Sequence, residues 1–190
     1  MKPFLPTSAL LFSSALLLLS PLPPAHAQAV HWLFSYSGFY DQEAGRFLPD
    51  ARLDGAFTGI DANGDGAIER SELTSLHIGA VDYVACAASS NAYYHCGADS
   101  FLFSAARTLS FDLAEYGSDP EGWVGGGRLI TAGALDYTYS FSPFASSERH
   151  LYWTDATTLT LVNAVPEAPA WALLLAGLGG LGWWRRRKAP

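Results

Sequence analysis

Apolar and polar side chains alternate residue by residue in one stretch of this chain after another, and that period admits one kind of backbone. Trp32, Phe34 and Tyr36 are interleaved with His31, Leu33, Ser35 and Ser37. Leu109, Phe111 and Leu113 are interleaved with Ser110, Asp112 and Ala114. Leu135, Tyr137, Tyr139 and Phe141 alternate with Ala134, Asp136, Thr138 and Ser140, and Leu151, Trp153, Leu159 and Leu161 keep the same period. Successive side chains of a strand point to opposite faces, so such a pattern buries one face of a sheet and wets the other. Gly, Ser, Pro and Asp clusters at 117–122 and 142–147 punctuate the runs, and Gly125-Gly126-Gly127 reads as a further turn. The alternation predicts about eight short strands: a mainly β, antiparallel, sandwich-like single domain, with a barrel as the alternative closure and no internal repeat.

The two ends of the chain follow other rules. Met1-Lys2-Pro3 is a short basic opening, Ala9 to Leu19 is apolar, and Ala25-His26-Ala27 offers a small-x-small cleavage site. That is the pattern of a secretory signal peptide, residues 1–27, for signal peptidase to remove. The last stretch reads Val165-Pro166-Glu167-Ala168-Pro169, an uncharged run over 170–184, then Arg185-Arg186-Arg187-Lys188. Fifteen helical residues reach roughly 22 Å against a hydrocarbon core of roughly 30 Å, a short transmembrane span. Trp171 and the Trp183-Trp184 pair sit where interfacial aromatics belong, with the basic cluster on the cytoplasmic side.

This tail, 165–190, resembles the PEP-CTERM sorting tail: a Pro-Glu-Pro signature (here Pro166, Glu167 and Pro169, with Ala168 inserted), a short membrane helix and a terminal cluster of Arg185, Arg186 and Arg187. The resemblance implies handling by the membrane enzyme exosortase in a Gram-negative bacterium. It further implies an inner-membrane intermediate, then release to the cell surface or to an extracellular polysaccharide and biofilm matrix. An ordinary C-terminal anchor is the alternative reading.

Between the ends lies a body of about 137 residues, 28–164, the size of one domain. Its only bases are six arginines, set against seventeen carboxylates, for a formal charge of −11. Such a surface repels phosphate backbones and anionic headgroups, which argues against nucleic acid and lipid-surface partners. Cys86 and Cys96, the only cysteines, are expected to pair in an oxidising compartment. A metal site of Cys86, His95 and Cys96 would lack a fourth ligand.

One stretch carries chemistry. Residues 61–72, Asp-Ala-Asn-Gly-Asp-Gly-Ala-Ile-Glu-Arg-Ser-Glu, match the twelve-residue calcium loop of an EF-hand. Calcium takes six to eight oxygens, and Asp61, Asn63 and Asp65 would supply them from positions 1, 3 and 5. Gly66 allows the sharp turn, the Ala67 carbonyl serves position 7, Glu69 position 9, and Glu72 closes with both oxygens at position 12. Ile68 anchors the loop on the core. The flanks depart from an EF-hand. The two glycines of 52–60 predict an entering strand, and Leu73 and Leu76 suggest one or two helical turns after the loop over 71–76. A single loop of this kind reads as a weak structural clamp for Ca2+, not a sensor.

No nucleophile elbow, zinc-protease helix or phosphate loop occurs, the body has no lysine, and Asp112 and Glu115 fall on opposite faces of one strand. No catalytic residue is assigned and no enzyme is expected. The expectation is therefore an exported structural protein with a calcium-stabilised β domain. The alternative is a glycan-binding module, calcium-dependent or not, using Tyr93, Tyr94 or Trp123, and the distant alternative is a secreted hydrolase.

Overall fold

The structure, a computed structural model, describes residues 29–164. The expected leader at 1–27 and the whole sorting tail at 165–190 lie outside the described residues. Among the described residues no helix is long and apolar enough to cross a membrane.

The strands are β1 (Ala29–Asp41), β2 (Arg46–Ile60), β3 (Ile68–Glu69), β4 (Leu73–Ile78), β5 (Val81–Asp82), β6 (Tyr94–Phe103), β7 (Leu109–Ser118), β8 (Gly125–Thr131), β9 (Leu135–Ser142), β10 (Ala145–Tyr152) and β11 (Thr158–Asn163). They form one antiparallel sheet in the order β3-β6-β7-β8-β9-β10-β1-β2-β4-β5, with β11 also paired to β1. The class is mainly β and antiparallel, as the alternation predicts, with eleven strands among the described residues in place of about eight.

The sheet curls so that its two halves face each other. Trp32, Phe34, Tyr36, Leu53 and Phe57 on one half meet Phe101, Phe103, Leu109 and Phe111 on the other. Phe57 lies 5.1 Å from both Phe101 and Phe103, Trp32 5.0 Å from Phe103, and Phe34 5.6 Å from Phe111, between ring centroids. These separations are those at which aromatic pairs attract beyond their area burial. The Tyr36 hydroxyl donates to the Leu109 carbonyl across the same gap, at 3.1 Å.

Three local expectations are corrected. Residues 71–76 are not helical: a turn over 70–72 runs into β4. Leu73 and Leu76 share a buried side because a bulge opposite Thr58 and Gly59 puts an extra residue between them, which imitates helical spacing. Gly125-Gly126-Gly127 is no turn but the start of β8. A methyl at Gly127 would lie 2.4 Å from Tyr116 Cβ, and one at Gly125 2.6 Å from Phe141 Cζ, so only glycine fits between those rings. In β9 the buried residue is Asp136, while Tyr137, Tyr139 and Phe141 line the opposite, half-buried face.

Asp136 is inside because Arg128 meets it there with two bonds, Nε at 2.8 Å and Nη2 at 2.7 Å. Asp41, also buried, is held in the same manner by Arg149 at 3.2 Å where β10 joins β1. The tyrosines outside stack on one another: Tyr137 lies 5.3 Å from Tyr139 and 4.4 Å from the His150 ring.

Two predictions follow from this interior. Arg128→Met strands the Asp136 carboxylate and should lower stability by about 3 kcal/mol in urea unfolding, with Arg128→Met/Asp136→Leu recovering most of the loss. Tyr36 and Tyr83 are pushed up to about 12 by burial, which favours the neutral phenol in the fold. Stability should hold below pH 10, the ordinary phenol value, and fall as pH rises from there to about 12. Melts across that range, read with phenolate absorbance, check it.

Candidate functional site

The 61–72 loop joins the end of β2 to β3 and sits on the open side of the curl. The sheet places β2 and β6 far apart in strand order, yet β3 brings the loop from one to the other. Ile68 pairs with Phe103 and Glu69 with Leu102 of β6. Ile68 is buried and seats on Gly59, where a Cβ would come within 2.4 Å of its Cγ2. The Ile60 amide donates to the Glu72 carbonyl at 3.0 Å, closing the loop at its base.

The carboxylates turn toward the loop's own backbone. Asp61 Oδ1 accepts from Gly64 N at 2.7 Å and Asp65 N at 3.2 Å, and its Oδ2 accepts from Gly66 N at 2.9 Å. Asn63 Oδ1 accepts from Asp65 N at 2.9 Å, and Asp65 Oδ1 from Ala67 N at 2.8 Å. Glu72 reaches across the loop: Oε1 accepts from Ala62 N at 2.9 Å and Asn63 N at 3.3 Å, while Oε2 accepts from Glu69 N at 3.2 Å. Gly64 and Gly66 hold φ of +75° and +79°, the left-handed region that these turns require and glycine permits. Arg70, the one cation of the loop, donates from Nε to the Ala98 carbonyl of β6.

The residues assigned from sequence as ligands thus occupy one exposed loop in the order a calcium loop needs, and the donor set is all oxygen, as a hard cation prefers. Among the described residues no three His, Cys, Asp or Glu side chains converge into a metal cluster. The loop as folded spends the carboxylates of Asp61, Asp65 and Glu72 on amide N–H groups. An ion here would be held by Asp61, Asn63, Asp65, the Ala67 carbonyl, Glu69 and Glu72, and would set a positive charge among carboxylates that otherwise repel.

Cys86 and Cys96 are bonded, with their Cα atoms 5.6 Å apart, so they form no metal site with His95. The bond ties a 3-10 turn, Ala85–Ser89, against β6. Ser90 caps the same place, its Oγ accepting from Cys96 N at 3.0 Å and donating to Cys96 O at 3.1 Å. With Arg70 on Ala98, these contacts cover the edge of β6 that β3 leaves open. Sequence reasoning missed this covering, because neither a serine six residues before Cys96 nor an arginine 28 residues before Ala98 carries a pattern that announces it.

Three of the four described histidines pair with acids on separate patches, His77 with Asp82 at 3.5 Å, His95 with Asp99 at 3.8 Å and His150 with Glu43 at 2.7 Å, while His31 meets Thr58 Oγ1 at 3.4 Å. The Glu43 carboxyl is held below its usual range by the backbone and side-chain hydrogen bonds from His150. Tyr93 and Trp123 are exposed at turns, while Tyr94 is half-buried and donates to Glu115 at 3.0 Å. The structure does not bring these three near the loop at 61–72: Tyr94 opens β6 and the loop pairs with its far end.

Compared with protein-family models, curated proteins and solved structures, the chain matches none. Removing the cross-link with Cys86→Ala/Cys96→Ala frees the unfolded chain and should cost about 3 kcal/mol in urea unfolding. The wild-type protein in reductant should lose the same amount.

Proposed function

We propose that the chain is an exported surface or extracellular-matrix protein whose β domain is stiffened by one weakly held Ca2+. Its curled sheet serves as a sandwich-like unit with the cation loop as the clasp on its open side. The observation that carries this reading is the seating of the 61–72 loop. Its Ile68 is buried against β2 and paired to β6, so whatever rigidifies the loop also fastens the two halves of the sheet. The leader at 1–27 supports entry into the secretory route through signal peptidase, and the tail at 165–190 supports sorting by exosortase after a membrane-held intermediate. The body charge of −11 supports a soluble domain that collects cations and rejects nucleic acid.

Affinity on the order of 10⁻⁴ to 10⁻³ M suits an extracellular module. With calcium at a hundred times its dissociation constant, stability should rise by about 2.7 kcal/mol over the chelated protein. Glu72→Ala should abolish that difference in paired thermal melts. Equal midpoints with calcium and with chelator in the unaltered protein would refute the clasp.

A further inference from the structure

At the end of the sheet away from the calcium loop, three neighbouring turns each hold an aromatic ring out into solvent. Register puts them together: Tyr94 opens β6 opposite Gly117, Ser118 of β7 pairs with Gly125 of β8, Gly125 pairs with Phe141 of β9, and Ser142 pairs with Ala145 of β10. The turn before β6 carries Tyr93, the β7–β8 turn Trp123 and the β9–β10 turn Phe144, at 52%, 64% and 96% exposure. From β6 to β10 is four strand spacings, so the rim spreads over roughly 19 Å.

None of the three turns is loose. Asp119 Oδ1 accepts from Trp123 N at 2.7 Å and Val124 N at 2.8 Å, and Asp119 N donates back to Val124 O at 2.8 Å. Asn91 Oδ1 accepts from Tyr93 N at 2.9 Å, and Ser118 N donates to Tyr93 O at 2.9 Å. Ser142 Oγ accepts from Ala145 N at 3.2 Å beside Phe144. Aromatic rings on backbone already fixed are what a ligand can engage without ordering the protein first. Exposed aromatic groups on neighbouring turns along one end of a sheet, among polar residues, mark an interaction surface.

We propose that this rim binds an uncharged polysaccharide. A pyranose offers C–H groups to a ring face and hydroxyls to oxygen acceptors, and the rim supplies both: Tyr93, Trp123 and Phe144 for the first, Asp119 and Glu121 for the second. Turns 91–93, 119–124 and 143–144 carry no base, and the body charge of −11 repels anionic lipid, acidic polymers and a second copy of the chain alike. The open, extended form of the rim fits a polymer better than a small molecule, which needs a concave site. Rim and calcium loop lie at opposite ends of the ten residues of β6, roughly 30 Å apart, so the cation makes no contact with the sugar. The proposal adds a ligand to the surface-protein reading and needs neither the calcium nor the sorting tail.

The test uses the full-length chain in phosphatidylcholine nanodiscs, titrated with dextran, galactomannan, a soluble cellulose and, as the acidic control, alginate. Saturable binding to at least one neutral polymer is expected. Trp123→Ala and Phe144→Ala should each weaken it at least tenfold with an unchanged melting midpoint, and chelator should leave it unaltered. Four results would overturn the proposal. They are no binding to any neutral polymer, binding that ignores Trp123→Ala, binding lost to chelator while the fold persists, and tryptophan fluorescence quenched by brominated lipid through Trp123 in the absence of polymer, which would place the rim on a bilayer.

Discussion

A sheet that curls on itself has to fasten its open side, and here the pairing of Ile68 with Phe103 does so. The rest of the curl is held by continuous ladders from β6 through β10 to β1 and β4, but β2 and β6 share no ladder. What crosses the gap is aromatic packing and the Tyr36–Leu109 hydrogen bond inside, and, outside it, the 61–72 loop and the Cys86–Cys96 bond that ties the turn after β5 to β6. Burying the Ile68 side chain contributes about 2 kcal/mol. The adjoining carboxylates Asp61, Asp65, Glu69 and Glu72 work against that contribution by repelling one another. The loop's hydrogen bonds from amide N–H groups offset part of the repulsion, and a cation would offset the remainder. That balance is why a weak site is enough in the proposed reading: the cation adjusts a clasp that is already shaped.

The interior departs from an all-apolar core at one place, and the departure explains the outside as well. Because Arg128 and Asp136 pair within the curl, the face of β9 that faces inward is the polar one, and Tyr137, Tyr139 and Phe141 are turned out. Stacked against each other and against His150, they cover the back of β8 to β10 with rings in place of a second layer. On β8, Gly125 makes room for Phe141 of that layer, and Gly127 for Tyr116 of β7. Ile130, buried on β8 opposite Asp136, faces the same way, so the ion pair and this side chain together mark the inward side of the two strands there.

Much of this was legible in the sequence where a residue's role is local. Trp32, Phe34 and Tyr36, and Leu109, Phe111 and Leu113, face the core as their alternation requires. The 61–72 stretch folds as a loop with left-handed turns at Gly64 and Gly66, since each turn in it is specified within a few residues, but its carboxylates accept from the loop's own amides and do not converge. What failed depended on partners far away. The strand at Leu73–Ile78 was hidden by a bulge against β2, and the strand start at Gly125 by rings that arrive from β7 and β9. The burial of Asp136 on β9 goes with its pairing to Arg128 of β8, a cross-strand partner that the alternation of β9 does not reveal. The curl itself, with β6 brought back to the loop after β2, has no local trace at all.

The layout also bears on what a bound cation could do. In an EF-hand sensor, helices carry the change outward when the ion binds. Here the ladder partner of Ile68 is β6, which is itself laddered to β7 along its whole length and cross-linked through Cys96. Strands joined on that scale do not swing, so a shift at Asp61 or Glu72 has no lever to the turns that carry Tyr93, Trp123 and Phe144. The first and last paired residues described, Ala29 beside Ile60 and Asn163 beside Trp32, lie at the end of the sheet that carries the 61–72 loop. In the proposed reading, stiffening by a cation would act near Ala29 and Asn163 and contact through the rings at the far rim, two tasks that the one sheet would keep apart.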